Sequence, residues 1–193
     1  MSLFTLTPEI TLRDHLRVHY ELVIKMIGPL LTEERLKKIE KVASLRNFSN
    51  AVVLEGIYDR GNISAVMRTA EAFGFVNFHI IETQEKFKEA KRVTQGADKW
   101  TEVSKWKTTK ECILALKKRG NKIVVTSLEA SKPIDQIDWT VPTALVLGNE
   151  KEGITQEMFE LSDERVIIPM GGFVQSFNIS VAGALSLYHI YRE

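Results

Sequence analysis

From about residue 48 onward the chain reads as an α/β domain with a parallel sheet flanked by helices. Three observations lead there. Five short apolar runs, at 51–55, 78–81, 123–126, 144–147 and 166–168, carry no polar alternation, as expected of strands buried on both faces. Helical patterns lie between or after them, at about 62–73, 108–119, 155–162 and 178–192. Gly74 and Gly120 follow two of those helices, where a left-handed terminating residue is favoured.

Before this domain, residues 1–47 read as a helical extension. Ile10, Leu12, Leu16, Val18, Leu22, Val23 and Met26 recur at three- and four-residue spacing until Gly28-Pro29 interrupts them. Thr32 then caps a charged helix whose buried stripe would be Leu36, Ile39, Val42, Ala43 and Leu45. The domain proper spans 48–193.

Ligands in open parallel sheets sit beyond the carboxyl ends of the strands. The loops after 54, 126, 147 and 168 are therefore the candidate site. The first is Gly56-Ile57-Tyr58-Asp59-Arg60-Gly61-Asn62, leading into Ile63–Ala70. Asn62 is placed to cap that helix. Arg68 either pairs with Glu71 three residues on or offers its planar fork to a phosphate. The loop after 147 is Gly148-Asn149-Glu150-Lys151-Glu152-Gly153, without phosphate-loop spacing. Glu150 either stays solvated in a turn, meets a cation or donor, or orders the loop. After 168, Pro169-Met170-Gly171-Gly172 leads to polar residues that open a helix with Ser180, Ala182, Gly183, Ala184 and Ser186. Glycine in mid-helix is unfavourable, so a close packing partner is expected. The same helix carries Val181, Leu185, Leu187, Tyr188, Ile190 and Tyr191, too much apolar surface for water, and a subunit interface is one outlet.

Bulk properties narrow the class. The chain has 193 residues, 44% hydrophobic and 26% charged, with a net charge of +1. Such a composition suits a globular protein with no membrane span. Cys112, the single cysteine, rules out an internal disulfide and reads as a small helix hydrophobe in a reduced, cytoplasmic setting. No metal site is expected, since His15 and His19 at i, i+4 lack a third ligand. The charge is unevenly spread. Residues 86–122 hold twelve lysines and arginines against four acids, and residues 129–165 hold three against nine. That is either one face turned to a polyanion or charge solvating helix faces. Trp100 and Trp106, among the lysines, suit stacking or packing equally.

Three segments in order resemble the SpoU branch of the SPOUT methyltransferases, in particular the TrmH-like RNA ribose methyltransferases. They are Asn62–Gly74, Ala144–Ile154, and Ile168-Pro169-Met170 with Gln175–Ala182. The likeness covers about residues 50–192. It implies a C-terminal trefoil knot, a homodimer, and S-adenosyl-L-methionine as cofactor. By matching position, the resemblance assigns cofactor binding to Thr126, Ser127, Leu128, Gly148, Glu150, Ile168, Met170, Ser176 and Phe177. It assigns the catalytic role to Arg68, with Asn62, Glu150, Ser176 and Asn178 around the reaction centre. Transfer of a methyl group to a ribose 2′-hydroxyl is implied, with tRNA guanosine 18 of the D-loop the leading target. A 23S ribosomal RNA target and a non-catalytic RNA-binding protein on the same fold are the alternatives. Lys88, Lys91 and Arg92 are the candidate RNA contacts.

Two positions depart from the family pattern. Phe177 stands where leucine is usual. Tyr58-Asp59-Arg60-Gly61 replaces a His-Lys-Pro-His-like stretch common in the TrmH group. The chain ends at Glu193, just after the last helix, whereas TrmH-type enzymes often carry a further C-terminal helical extension. The helices before residue 48 are expected to take over its contacts with RNA.

Overall fold

The computed structural model describes residues 12–82, 99–130 and 132–193, with side chains from residue 20 onward. The chain divides into two compact units at Phe48/Ser49. In the first, helix α1 (Leu12–Ile27) meets a 3₁₀ turn (Gly28–Leu30), and α2 (Glu33–Ser44) follows. Thr32 caps α2, accepting from the Arg35 amide at 3.4 Å. The expected buried stripe of α2 is not fully buried: Leu36, Ile39 and Ala43 are half-covered, and Val42 and Leu45 are exposed.

The second unit carries a seven-stranded sheet. Its strands are β1 (Asn47–Glu55), β2 (Phe75–Ile81), β3 (Glu102–Trp106), β4 (Lys122–Thr126), β5 (Lys132–Pro133), β6 (Thr143–Leu147) and β7 (Glu164–Ile167). The order is β3-β2-β1-β6-β4-β7-β5, with parallel pairings. The five runs expected as strands are present; β3 and β5, at the two edges, were not anticipated. The helices are α3 (Arg60–Ala72), α4 (Thr109–Lys118), α5 (Gln156–Leu161) and α6 (Ile179–Arg192). Gly74 and Gly120 end α3 and α4 with φ of 85°.

Two-residue periodicity sends alternate side chains to opposite faces, and both faces are covered. Val52, Leu54, Val124, Leu145 and Leu147 face a core shared with Val66 and Met67 of α3 and Leu187 and Ile190 of α6. Ala51, Val53, Ile123, Val125, Ala144 and Val146 face the other, with Ile113 and Leu116 of α4 and Met158 of α5. The register sets Val52 beside Leu145 and Leu54 beside Leu147. Each large side chain so buried contributes about 1.5–3 kcal/mol. Gly183 has the packing reason its position demanded: a Cβ there would meet Leu147 Cδ1 at 3.1 Å and Val66 Cγ2 at 3.2 Å. Helix α6 buries only part of its apolar girth. Val181, Leu185, Tyr188 and Tyr191 stay exposed on one chain.

Cys112 is fully buried on α4; burial, then the Glu55 charge, pushes its thiol up to about 12. Trp106 packs inward, its indole N–H donating to His79 Nδ1 at 2.9 Å. Burial, with a smaller effect from the Arg119 charge, pushes the His79 imidazole down to about 4. Between pH 6.5 and 4 the unfolded chain binds a proton there that the folded chain refuses. Stability is therefore lost as pH falls through that window, by up to about 3 kcal/mol. Urea unfolding across this range should show the slope in the natural protein and a flatter one in His79→Gln. Equal slopes would refute the assignment.

Part of the charge asymmetry is internal. Lys117 pairs with Asp163 at 2.7 Å, and Glu164 receives both Lys122 at 3.3 Å and Lys132 at 3.2 Å. Burial pushes the Glu164 carboxyl up, but hydrogen bonds from Lys132 and Lys122 outweigh it and hold it below the ordinary value. Basic and acidic stretches thus partly neutralise one another.

Candidate active site

The loops after β4, β6 and β7 wall one cavity of about 530 Å³. Thr126, Ser127 and Leu128 form one side, Gly148 and Glu150 another, and Ile168, Met170, Ser176 and Phe177 the third. All nine positions assigned to cofactor binding thus line a single space, at the carboxyl ends of parallel strands. Its size is within the range that encloses a small organic ligand. Ile168, Phe177 and Leu128 offer apolar surface to a ring, and the Glu150 carboxylate suits a ligand bearing positive charge. The residues present fit S-adenosylmethionine on both counts.

The Gly148–Gly153 loop is folded back on itself. Asn149 and Gly153 exchange backbone hydrogen bonds of 2.7 and 2.9 Å. The Asn149 side chain accepts from the amides of Lys151 and Glu152 at 2.8 and 3.0 Å and donates to Gly56 O at 2.6 Å. Gly148 must be glycine, because a Cβ there would lie 2.5 Å from the carbonyl carbon of Gly153.

Beside the cavity runs a directional hydrogen-bond chain. Asn178, which caps α6, accepts from Ser180 N and Oγ at 2.9 and 2.6 Å. Its amide nitrogen must then donate, and does so to Asn62 Oδ1 at 3.3 Å. Asn62 in turn donates to Glu150 Oε1 at 2.9 Å. The expected helix cap at Asn62 is corrected here. Asp59 caps α3, accepting from Gly61 N at 2.7 Å, and this frees the Asn62 side chain for Glu150 and Asn178. Of the alternatives for Glu150, the carboxylate meets a donor.

The structure brings Asn62, Glu150 and Asn178 together and sets Ser176 on the cavity wall. It does not bring Arg68 to that wall. Arg68 is exposed on α3 and makes no hydrogen bond or ion pair among the described residues, so the pair with Glu71 is absent. Lys88, Lys91 and Arg92 lie outside the described residues, as do the side chains of His15 and His19. Among the described residues no cluster of His, Cys, Asp or Glu could hold a metal, and no helix is long and apolar enough to cross a membrane. Three residues escaped the reading of the sequence: Asn149, Glu55 and Thr155. The signal for Glu55 was present, as the one charged residue closing an apolar strand.

The model of the SpoU rRNA Methylase family matches residues 49–188. The chain is 35% identical over 166 residues to the tRNA (guanosine(18)-2′-O)-methyltransferase of Aquifex aeolicus, across 85% of this chain and 79% of that one. It is 39% identical over 173 residues to the Borreliella burgdorferi protein of the same name, across 87% and 79%. The crystal structure of the A. aeolicus TrmH/SpoU tRNA modifying enzyme matches with a TM-score of 0.77 and 35% identity, across 83% and 82%. The SpoU methyltransferase AviRb from Streptomyces viridochromogenes, solved in complex with AdoMet, matches with a TM-score of 0.68 and 26% identity, across 74% and 56%.

Proposed function

Because the chain belongs to the SpoU methylase family, we propose that it methylates the ribose 2′-hydroxyl of guanosine 18 in tRNA, using S-adenosylmethionine. One observation carries the reading: three loops far apart in sequence converge on one cavity whose shape and charge suit that cofactor. The curated relatives of 35–39% identity supply the choice of tRNA and nucleotide.

When bound, S-adenosylmethionine supplies an electrophilic methyl group. The protein's part is alignment, which for two reactants held in line contributes much of the rate. The Ser180–Asn178–Asn62 chain fixes the Glu150 carboxylate at the cavity edge. The Arg68 guanidinium holds the phosphate next to the target ribose and stabilises the alkoxide as the hydroxyl proton passes to solvent. Ser176 lines the cavity where ribose and cofactor meet.

The protein works as a homodimer in the cytoplasm, and the exposed Val181, Leu185, Tyr188 and Tyr191 of α6 support the pairing. The segment from Ile168 to Asn178 threads the trefoil knot, supported by the shared wall it forms with the 148–153 loop. Residues 1–47 and the basic segment with Lys88, Lys91 and Arg92 contact the RNA.

Parallel incubations of methyl-labelled S-adenosylmethionine with bulk tRNA and with ribosomal RNA should place label on the 2′-oxygen of guanosine 18 of tRNA. Label confined to ribosomal RNA would move the target. RNA binding without any label would favour a non-catalytic protein.

A further inference from the structure

Glu55 ends β1 and is 1% exposed. A carboxylate taken that far from water is costly unless its oxygens are satisfied. They are satisfied, without any ion pair among the described residues. Thr109 Oγ1 and Thr155 Oγ1 donate to Oε1 at 2.6 and 2.8 Å, and the Thr155 amide donates to Oε2 at 3.0 Å. Thr109 opens α4. Thr155 caps α5, accepting from the Met158 amide at 3.1 Å, and also lines the cavity.

Thr155 closes the loop that begins at Gly148. The other end of that loop is held by Asn149, which donates to Gly56 O at 2.6 Å. Both ends of the cavity loop are therefore tied to two consecutive residues, Glu55 and Gly56, at the carboxyl end of one strand. Gly56 can turn there because its φ is 64°.

We propose that Glu55 is a positioning residue for the methyl-donor pocket, acting through Thr155 on the loop that carries Gly148 and Glu150. This rests on the reading of the cavity as the S-adenosylmethionine site. The chemistry calls for a carboxylate. Three donors converge on it; a primary amide would turn its N–H₂ either against the Thr155 amide or toward the two hydroxyls, which would then have to accept and lose the acceptor for their own hydrogens, Thr155 Oγ1 already accepting from the Met158 amide. Thr109 shares the same oxygen but belongs to α4, outside the cavity, so it serves as an internal control.

The test uses the full chain, with S-adenosylmethionine affinity by calorimetry and thermal midpoint measured in parallel. Glu55→Gln should weaken cofactor affinity by about ten-fold, the effect of one frustrated buried hydrogen bond. Thr109→Val should lower the thermal midpoint about as far as Glu55→Gln does and leave that affinity unchanged. Thr155→Val reads the same clamp from the loop side, independently of whether Glu55→Gln folds; it should weaken binding, and Thr155→Ser should restore it. Affinity that falls equally in Thr109→Val and Glu55→Gln would make Glu55 merely structural and overturn the proposal. So would unchanged affinity in Glu55→Gln, or in Thr155→Val. A natural protein that binds no S-adenosylmethionine would overturn the cofactor reading itself, and this proposal with it.

Discussion

Arg68→Ala lowers methyl transfer to tRNA by about 10²–10³-fold, the loss expected when one donor to a developing oxyanion is removed. S-adenosylmethionine affinity stays near that of the natural protein. The second half of this expectation follows from placement. Arg68 is exposed on α3 and stands off the cavity wall, with no partner among the described residues whose loss would disturb the fold. A guanidinium so placed is available to an RNA phosphate and contributes nothing visible to the cofactor's enclosure. Single-turnover rates and calorimetry separate the two effects. Lost cofactor binding in Arg68→Ala, or undiminished transfer, would remove Arg68 from the role assigned to it.

Gly148→Ala attacks the cofactor side instead. Its new methyl group would lie 2.5 Å from Gly153 C, 2.6 Å from Gly153 O and 2.6 Å from Ile154 N. All three are backbone atoms, so no side chain can swing aside. The loop is also pinned by the paired Asn149–Gly153 hydrogen bonds and by the Asn149 side chain. Something must break, and the cost of such overpacking is roughly 1–3 kcal/mol of stability. The segment displaced carries Glu150, so cofactor affinity should fall by at least about ten-fold. The thermal midpoint and calorimetry together report it. An alanine variant that folds and binds as the natural protein does would mean the loop is looser than its hydrogen bonds indicate.

Legibility in the sequence followed burial. The strands β1, β2, β4, β6 and β7 each contain a run of β-branched or large apolar residues because helices cover both faces of the sheet. The edge strand β3 pairs only with β2, and Glu102 and Lys105 face water, so its pattern merges with the lysine-rich segment around it. Strand β5 is two residues, Lys132–Pro133, too short for any periodicity. At the site, the loops were legible from strand ends and glycines, whereas the partners of Asn62 were not. Its bonds to Glu150 and Asn178 span 88 and 116 positions, and no local pattern encodes contacts that distant. Asparagine and aspartate cap helices equally well, so preference alone does not separate Asn62 from Asp59, whose carboxylate accepts from Gly61 N. The charge asymmetry was real in the sequence, but Asp163 and Glu164, at the start of the strand beside β4, answer part of it.

The capped start of α6 fixes the orientation of two side-chain amides. An asparagine amide is nearly symmetric in shape, and in isolation Asn178 and Asn62 could each sit either way round. The Ser180 backbone N–H removes that freedom, since only an oxygen can face it. The choice then passes to Asn62 and ends at Glu150 as an incoming N–H. The direction in which the polypeptide runs through its last helix is thus inherited, two side chains later, as the polarity of the cavity edge.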